Sequence, residues 1–210
     1  MLPHGFAFGS CRMRLVECPY CVTVLSSLTQ VSYWLDIIEG VRKPPSTPDL
    51  KRLMCFEQKD DEPWRYDLSD VRNILIEVCT AKTLWYLDHP ISLWGNFHGE
   101  AKGIPTRLVV ASPDELYAAM KTVRERLRGK FVVFVCQQSY QDKNLSMYYA
   151  TLEIRRAIHD LIFRAATELS NCAAYDPTPR IEEFGPKQCL LDVHHETPFM
   201  GEVCARDIEN

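Results

Sequence analysis

Four short apolar runs stand out along the chain, and each passes directly into polar residues. Gly5-Phe6-Ala7-Phe8 ends at Gly9-Ser10. Asn73 to Cys79 (NILIEVC) is apolar on both alternating sets of positions, the signature of a strand covered on both faces. Lys130 to Cys136 (KFVVFVC) repeats that pattern, and Cys189-Leu190-Leu191 predicts a short last strand leading into Asp192. Between them lie helical stretches. Ser112-Pro113-Asp114-Glu115 carries an N-cap, a proline at the first helical position and a capping-box glutamate, so a helix should run from there to about Arg128 and stop at Gly129. Ser146 to Leu169 predicts a long helix, with apolar residues at Tyr149, Leu152, Ile158, Leu161 and Ile162, and Met200 to Ile208 a final amphipathic one. Val24 to Val41 is apolar nearly throughout, and periodicity leaves helix and strand both open there.

Several stretches break the pattern. Lys43-Pro44-Pro45-Ser46-Thr47-Pro48 interrupts regular structure, Lys59-Asp60-Asp61-Glu62-Pro63 reads as an exposed charged loop, and Trp94 to Pro105 as a glycine-containing loop. Strands alternating with helices predict an α/β domain with a mainly parallel sheet covered on both faces, a three-layer α/β/α sandwich. In such sheets ligands bind outside the carboxyl ends of the strands. Ser10-Cys11, Thr80 to Lys82, Gln137-Gln138 and Asp192 to His195 each follow a predicted strand.

A length of 210 residues suits one domain over the whole chain, 1–210. A formal net charge of −4 argues against a broad nucleic-acid surface, and no apolar run is long enough to span a bilayer. Nine cysteines, an odd number, with no basic-then-apolar leader in Met1-Leu2-Pro3-His4, argue against a disulfide framework. The expectation is a cytoplasmic protein without a nucleic-acid or membrane partner.

The chemistry concentrates at the two ends. Phe8-Gly9-Ser10-Cys11 places a nucleophile on a sharp turn after a strand, and Asp192-Val193-His194-His195 supplies an acid and a base. Nucleophile, acid and base make a covalent-catalysis triad when a fold brings the ends together. His194 and His195 are adjacent, so on an extended segment only one can face the nucleophile.

These two blocks resemble those of SGNH/GDSL hydrolases. D-V-H-H-E-T-P-F-M-G is similar to that family's last block, D-x-x-H before a closing helix, with Asp192, His195 and Gly201 in the matching places. F-G-S-C resembles the family's F-G-D-S, in a G-S-C form that puts Cys11 at the nucleophile position and leaves Ser10 as second candidate. The resemblance implies a flavodoxin-like sandwich and acyl transfer or ester/thioester hydrolysis on Cys11 or Ser10. His195 would be the base and Asp192 its orienter, with a small-molecule acyl donor and acceptor. No cofactor is required; acyl-CoA or another acyl thioester is the candidate co-substrate. The family's oxyanion asparagine after the central strand has no counterpart in Thr80-Ala81-Lys82. Backbone N–H groups at Cys11 and the side chains of Lys82, Asn96 and His98 are therefore the candidate donors, while Arg12 is placed for an anionic substrate group. The alternative in this fold is a non-catalytic binding protein.

Cys18-Pro19-Tyr20-Cys21 equals a glutaredoxin active-site string, but that motif belongs directly after the first strand, a place taken here by Ser10-Cys11-Arg12. A thiol redox role is the weaker alternative. Cysteine and histidine spacings form no regular metal-ligand set, so no metal is expected.

Overall fold

The computed structural model describes residues 4–9, 13, 20–22, 27–47, 50, 53–54, 67–91, 104–140, 149–191 and 196–209, with backbone alone at 20–22 and 149–152. Among these, five parallel strands build the main sheet: β1 (Gly5–Phe8), β2 (Tyr20–Val22), β3 (Asn73–Val78), β7 (Phe131–Cys136) and β8 (Cys172–Tyr175). Their spatial order is β2-β1-β3-β7-β8. The register runs Phe6 opposite Ile74, Ile74 opposite Val132 and Val132 opposite Cys172. A separate antiparallel sheet, β5-β4-β6, is inserted after β3 and comprises β4 (Lys82–Tyr86), β5 (His89–Ile91) and β6 (Arg107–Val110).

The period-2 alternation sends two side-chain sets to opposite faces of the main sheet. Phe6, Phe8, Ile74, Ile76, Val132 and Phe134 enter the larger core cluster, together with residues of helices α1 (Leu28–Ile38), α2 (Pro113–Arg126) and α3 (Tyr149–Glu168). Ala7, Leu75, Val133 and Val135 pack instead with Met13 and with Ala205 of the last helix, α6 (Pro198–Glu209). Two short helices, α4 (Thr178–Phe184) and α5 (Pro186–Cys189), precede it. The molecule is thus an α/β domain whose mainly parallel sheet is flanked by helices, as the sequence pattern predicts.

Capping decides the ambiguous region 24–41. Ser27 accepts a hydrogen bond from the Gln30 amide, and the Gln30 side chain reaches back to the Ser27 backbone, closing a capping box. The Ser27 hydroxyl also receives Thr83 Oγ1 at 2.9 Å, and Gln30 Nε2 donates to the Ile91 carbonyl at 3.2 Å, which joins α1 to the small sheet. Helix α2 starts on the expected Ser112–Glu115 capping box, and Gly129 takes φ of +80° just beyond its end.

One predicted element is wrong. Cys189 to Leu191 is not a strand: Gly185, at φ +86°, and Pro186 open the short helix α5, which holds Cys189. Leu190 then makes only an isolated antiparallel bridge to Glu196. Three apolar letters do not outweigh a proline placed at the first turn of a helix. The expected loops at 59–63 and 94–103 lie outside the described residues.

Candidate active site

In this strand order the chain passes from β1 to β2 on one side, and the next crossover runs from β2 back past β1 to β3 on the other. The carboxyl ends of β1 and β3 therefore form the crevice in which doubly wound sheets bind ligands. Beside it, at the carboxyl ends of β3, β7 and β8, lies a small cavity of about 20 Å3, room for one water-sized molecule. Its walls come from Met13, from Glu77 of β3, from Val135 and Cys136 of β7, from Tyr175 of β8, from Glu196, and from Cys204 and Ile208 of α6.

Gly9 sits at the base of this wall. A Cβ added there would lie 2.4 Å from Met13 Cγ, 2.8 Å from Glu77 Cβ and 3.0 Å from Glu77 Oε2. The chain leaving β1 thus passes directly over the Glu77 and Met13 side chains, and only glycine fits that approach. Glu77 is 3% exposed and Met13 2%. A buried carboxyl is expensive unless donors surround it, which makes such a residue in a central strand a candidate site residue. The sequence carried that signal: Glu77 is the one charged residue in an otherwise apolar run.

Burial pushes the Cys136 thiol up, with the Asp176 charge adding to the effect. Burial does the same to the Tyr175 phenol, reinforced by Cys204 and Asp207. Tyr175 donates to Asp207 at 3.2 Å, and the Cys204 thiol lies 4.0 Å from Glu196 Oε2.

The segment entering and leaving residues 192–195 is clamped. The Thr197 amide donates to the Cys189 carbonyl at 2.8 Å, and Thr197 Oγ1 donates to the Gln188 carbonyl at 2.7 Å while accepting the Met200 amide. With the Leu190–Glu196 bridge, these bonds hold the residues on either side of 192–195 together and cap α6. Asp207 then ties α6 to α4 through a two-pronged pair with Arg180, at 2.7 and 2.8 Å.

A second polar cluster lies at the ends of β7 and β8. His159 Nε2 is 2.6 Å from the Gln137 carbonyl, and its Nδ1 is 3.4 Å from Asp176 Oδ2. Arg155 donates to the Gln138 carbonyl at 2.7 Å, and Asp176 accepts the Thr178 amide at 2.9 Å. Both imidazole nitrogens face protein oxygens, so His159 fastens the strand ends and has no nitrogen left for a substrate.

Of the predicted site residues, Ser10, Cys11, Arg12, Asn96, His98, Asp192 and His195 lie outside the described residues, as does Cys18. Of their described flanks, Met13 and Glu196 line the cavity, and Gly9 packs against its lining residues Met13 and Glu77. Lys82 is exposed and opens β4, where it pairs with Val110 on the small sheet. Cys21 belongs to β2, opposite Ala7. A strand position does not offer the helix N-terminus that lowers a redox thiol's pKa. No cluster of three or more potential metal ligands exists among the described residues, and none of their helices is long and apolar enough to cross a membrane.

The chain shares its fold with a lipolytic protein of the G-D-S-L family. That protein, from Veillonella parvula, superposes with a TM-score of 0.52 at 10% identity, over 98% of this chain and 95% of its own. An acetyl-xylooligosaccharide esterase from Geobacillus gives 0.47 at 12% identity, over 97% and 91% of the two chains. An α/β hydrolase from the metagenome of Lake Arreo, Spain, gives 0.44 at 11%, over 97% and 92%. No family model matches the sequence, and no curated protein matches it.

Proposed function

We propose that this protein carries out acyl transfer, or ester or thioester hydrolysis, through a covalent acyl-enzyme on Cys11. His195 acts as base and Asp192 orients it. The observation that carries the reading is that Met13 and Glu196, close in the chain to Cys11 and His195, line one small cavity at the carboxyl ends of β3, β7 and β8, with Gly9 packed on its lining residues Met13 and Glu77. Consecutive Cα atoms are about 3.8 Å apart, so Cys11 lies within roughly 8 Å of Met13, and His195 is one residue from Glu196. The fold shared with a lipolytic G-D-S-L protein supports the same chemistry.

In the first half-reaction His195 takes the Cys11 thiol proton as sulfur attacks the acyl carbonyl. The tetrahedral intermediate collapses, the bond to the leaving group breaks, and His195 returns the proton to that group. In the second half-reaction an alcohol, amine or water loses its proton to His195 and attacks the thioester, which releases Cys11. Turn amides and the side chains of Asn96, His98 and Lys82 are the candidate oxyanion donors, with Arg12 for an anionic substrate group. Lys82 is exposed at the start of β4. An acyl thioester such as acyl-CoA suits a thiol nucleophile, and no other cofactor is needed.

Intact-protein mass spectrometry after incubation with acyl-CoA and activated-ester panels tests this reading. Wild type should gain one acyl mass, Cys11→Ala should not, and Ser10→Ala should. An adduct that survives Cys11→Ala but not Ser10→Ala moves the nucleophile to Ser10. No adduct in the wild type with any donor refutes acyl-enzyme chemistry and leaves a ligand-binding protein.

A further inference from the structure

The small sheet leaves one strand edge open. Its order, β5-β4-β6, puts β5 and β6 on the outside. The β5 edge is closed: Pro90 has no N–H to offer, and Gln30 of α1 donates to the Ile91 carbonyl at 3.2 Å. On β6 all four residues from Arg107 to Val110 are exposed, with Leu108 at 53% and Val110 at 57%. Natural edges are guarded by lysine, proline or a bulge. Leu108-Val109-Val110 contains neither residue, and its register with β4 runs unbroken. We infer that β6 is a self-association surface, pairing antiparallel with β6 of a second copy about a two-fold axis at Val109. This association is independent of the acyl chemistry proposed above.

The register decides which backbone groups face outward. Thr83 stands opposite Val109, and the Ala111 amide donates to the Ala81 carbonyl at 2.9 Å. Hydrogen-bonded pairs recur at every second residue of an antiparallel ladder, so Arg107, Val109 and Ala111 turn their N–H and C=O groups toward β4. Leu108 and Val110 turn theirs outward. A two-fold axis at Val109 sets Leu108 of one copy opposite Val110 of the other, twice over, and closes the ladder with apolar pairs on one face. The same axis is complementary in charge. Arg107, exposed at the start of β6, comes opposite Ala111 of the second copy, three residues before the exposed Asp114 in the first turn of α2. An arginine side chain spans that offset, and the symmetry forms the pair twice. Two four-residue strands cover less than the roughly 1,200–2,000 Å2 of a stable interface, so the dimer is weak and concentration-dependent.

Cysteines introduced one at a time into the full chain read this register. In the dimer Val109 faces its own copy in a non-hydrogen-bonded pair, with Cα atoms about 4.5 Å apart, so Val109→Cys should form a disulfide with itself. Leu108→Cys and Val110→Cys meet their own copies only diagonally, at about 7–8 Å, which is too far. Trypsin cuts after Arg107 and Lys121, and the peptide between holds no native cysteine. A disulfide-linked pair of that peptide therefore reports this edge alone. After mild oxidation Val109→Cys should yield it roughly tenfold more than either neighbour. A mixture of Leu108→Cys and Val110→Cys proteins should yield the crossed pair. Sedimentation equilibrium of the wild type should show a reversible dimer below about 1 mM, and Leu108→Lys should abolish it, or Val110→Lys should the first variant not fold. A wild type that stays monomeric up to about 1 mM overturns the inference. So do equal yields at all three cysteine positions, a dimer that forms no such link, and a dimer that survives the lysine substitution.

Discussion

Replacing Gly9 by alanine puts a methyl group where the structure has no room for one. The new Cβ would stand 2.4 Å from Met13 Cγ and 2.8 Å from Glu77 Cβ, against the roughly 3.5–4.0 Å at which carbons rest. Neither neighbour yields easily. Both contacting atoms lie close to their own backbones, and both residues are almost fully buried. Overpacking of a filled core costs about 1–3 kcal/mol, and two pinned neighbours place Gly9→Ala at about 2–3 kcal/mol. For a chain of this size that lowers Tm by roughly 4–12 °C. Gly129→Ala is the control: φ is +80° but no atom lies within 4 Å, so the cost is conformational, about 1–2 kcal/mol. In a Met13→Ala background the closest contact disappears, and Gly9→Ala should cost at least about 1 kcal/mol less. Urea melts of the four-member cycle give these differences. A Tm loss under about 2 °C for Gly9→Ala, or an identical loss in the Met13→Ala background, would refute the steric account.

Other consequences are open to test. Ser27→Ala removes the buried N-cap of α1 and leaves Thr83 Oγ1 without its acceptor, which should cost about 1–2 kcal/mol in urea denaturation; a loss below 0.5 would contradict it. Burial alone would raise the Asp176 carboxyl, yet hydrogen bonds from His159 and Thr178 hold it below its ordinary value. Its contribution is therefore complete above the unfolded-state value of about 3.9 and is lost as pH falls through the lower folded one. Asp176→Asn should flatten the acid limb of Tm against pH, and an unchanged slope there would count against the His159–Asp176 pair. Thr197→Val keeps the side-chain shape while cutting the bonds to Gln188 and Met200. It should cost about 1 kcal/mol and reduce kcat of any Cys11-dependent turnover more than it raises KM, with Thr197→Ser restoring both. Equal loss in the serine variant would show that the hydroxyl is not what holds the loop.

Local signals were legible wherever one interaction range sufficed. The Ser112–Glu115 capping box, the runs Asn73–Val78 and Phe131–Cys136, and the closing helix all stand as read, to within a few residues. Elements that owe their form to distant partners were not legible. Strand β8 is Cys172-Ala173-Ala174-Tyr175, without a single β-branched residue, and exists because β7 offers it a ladder. The small sheet is hidden in the same way: β5 contains Pro90, and β6 is exposed along its whole length, so neither shows an alternation. The last predicted strand failed for the opposite reason, a local signal from Gly185-Pro186 that outweighed three apolar residues.

The sequence by itself determined the class of the fold, because strands buried on both faces and helices between them admit few other arrangements. It also supplied, at each end, the residue types on which the proposed acyl chemistry rests. The strand order was a tertiary decision, and with it the crevice where the chain after β1, the end of β3 and the segment before α6 come together. So was the meaning of Glu77. In the sequence it interrupts an apolar strand; in the fold it is a buried carboxyl packed against Gly9 at the end of β1. The reason is physical: burial and Coulomb interaction depend on distances between residues far apart in the chain, and sequence spacing carries no information about those distances.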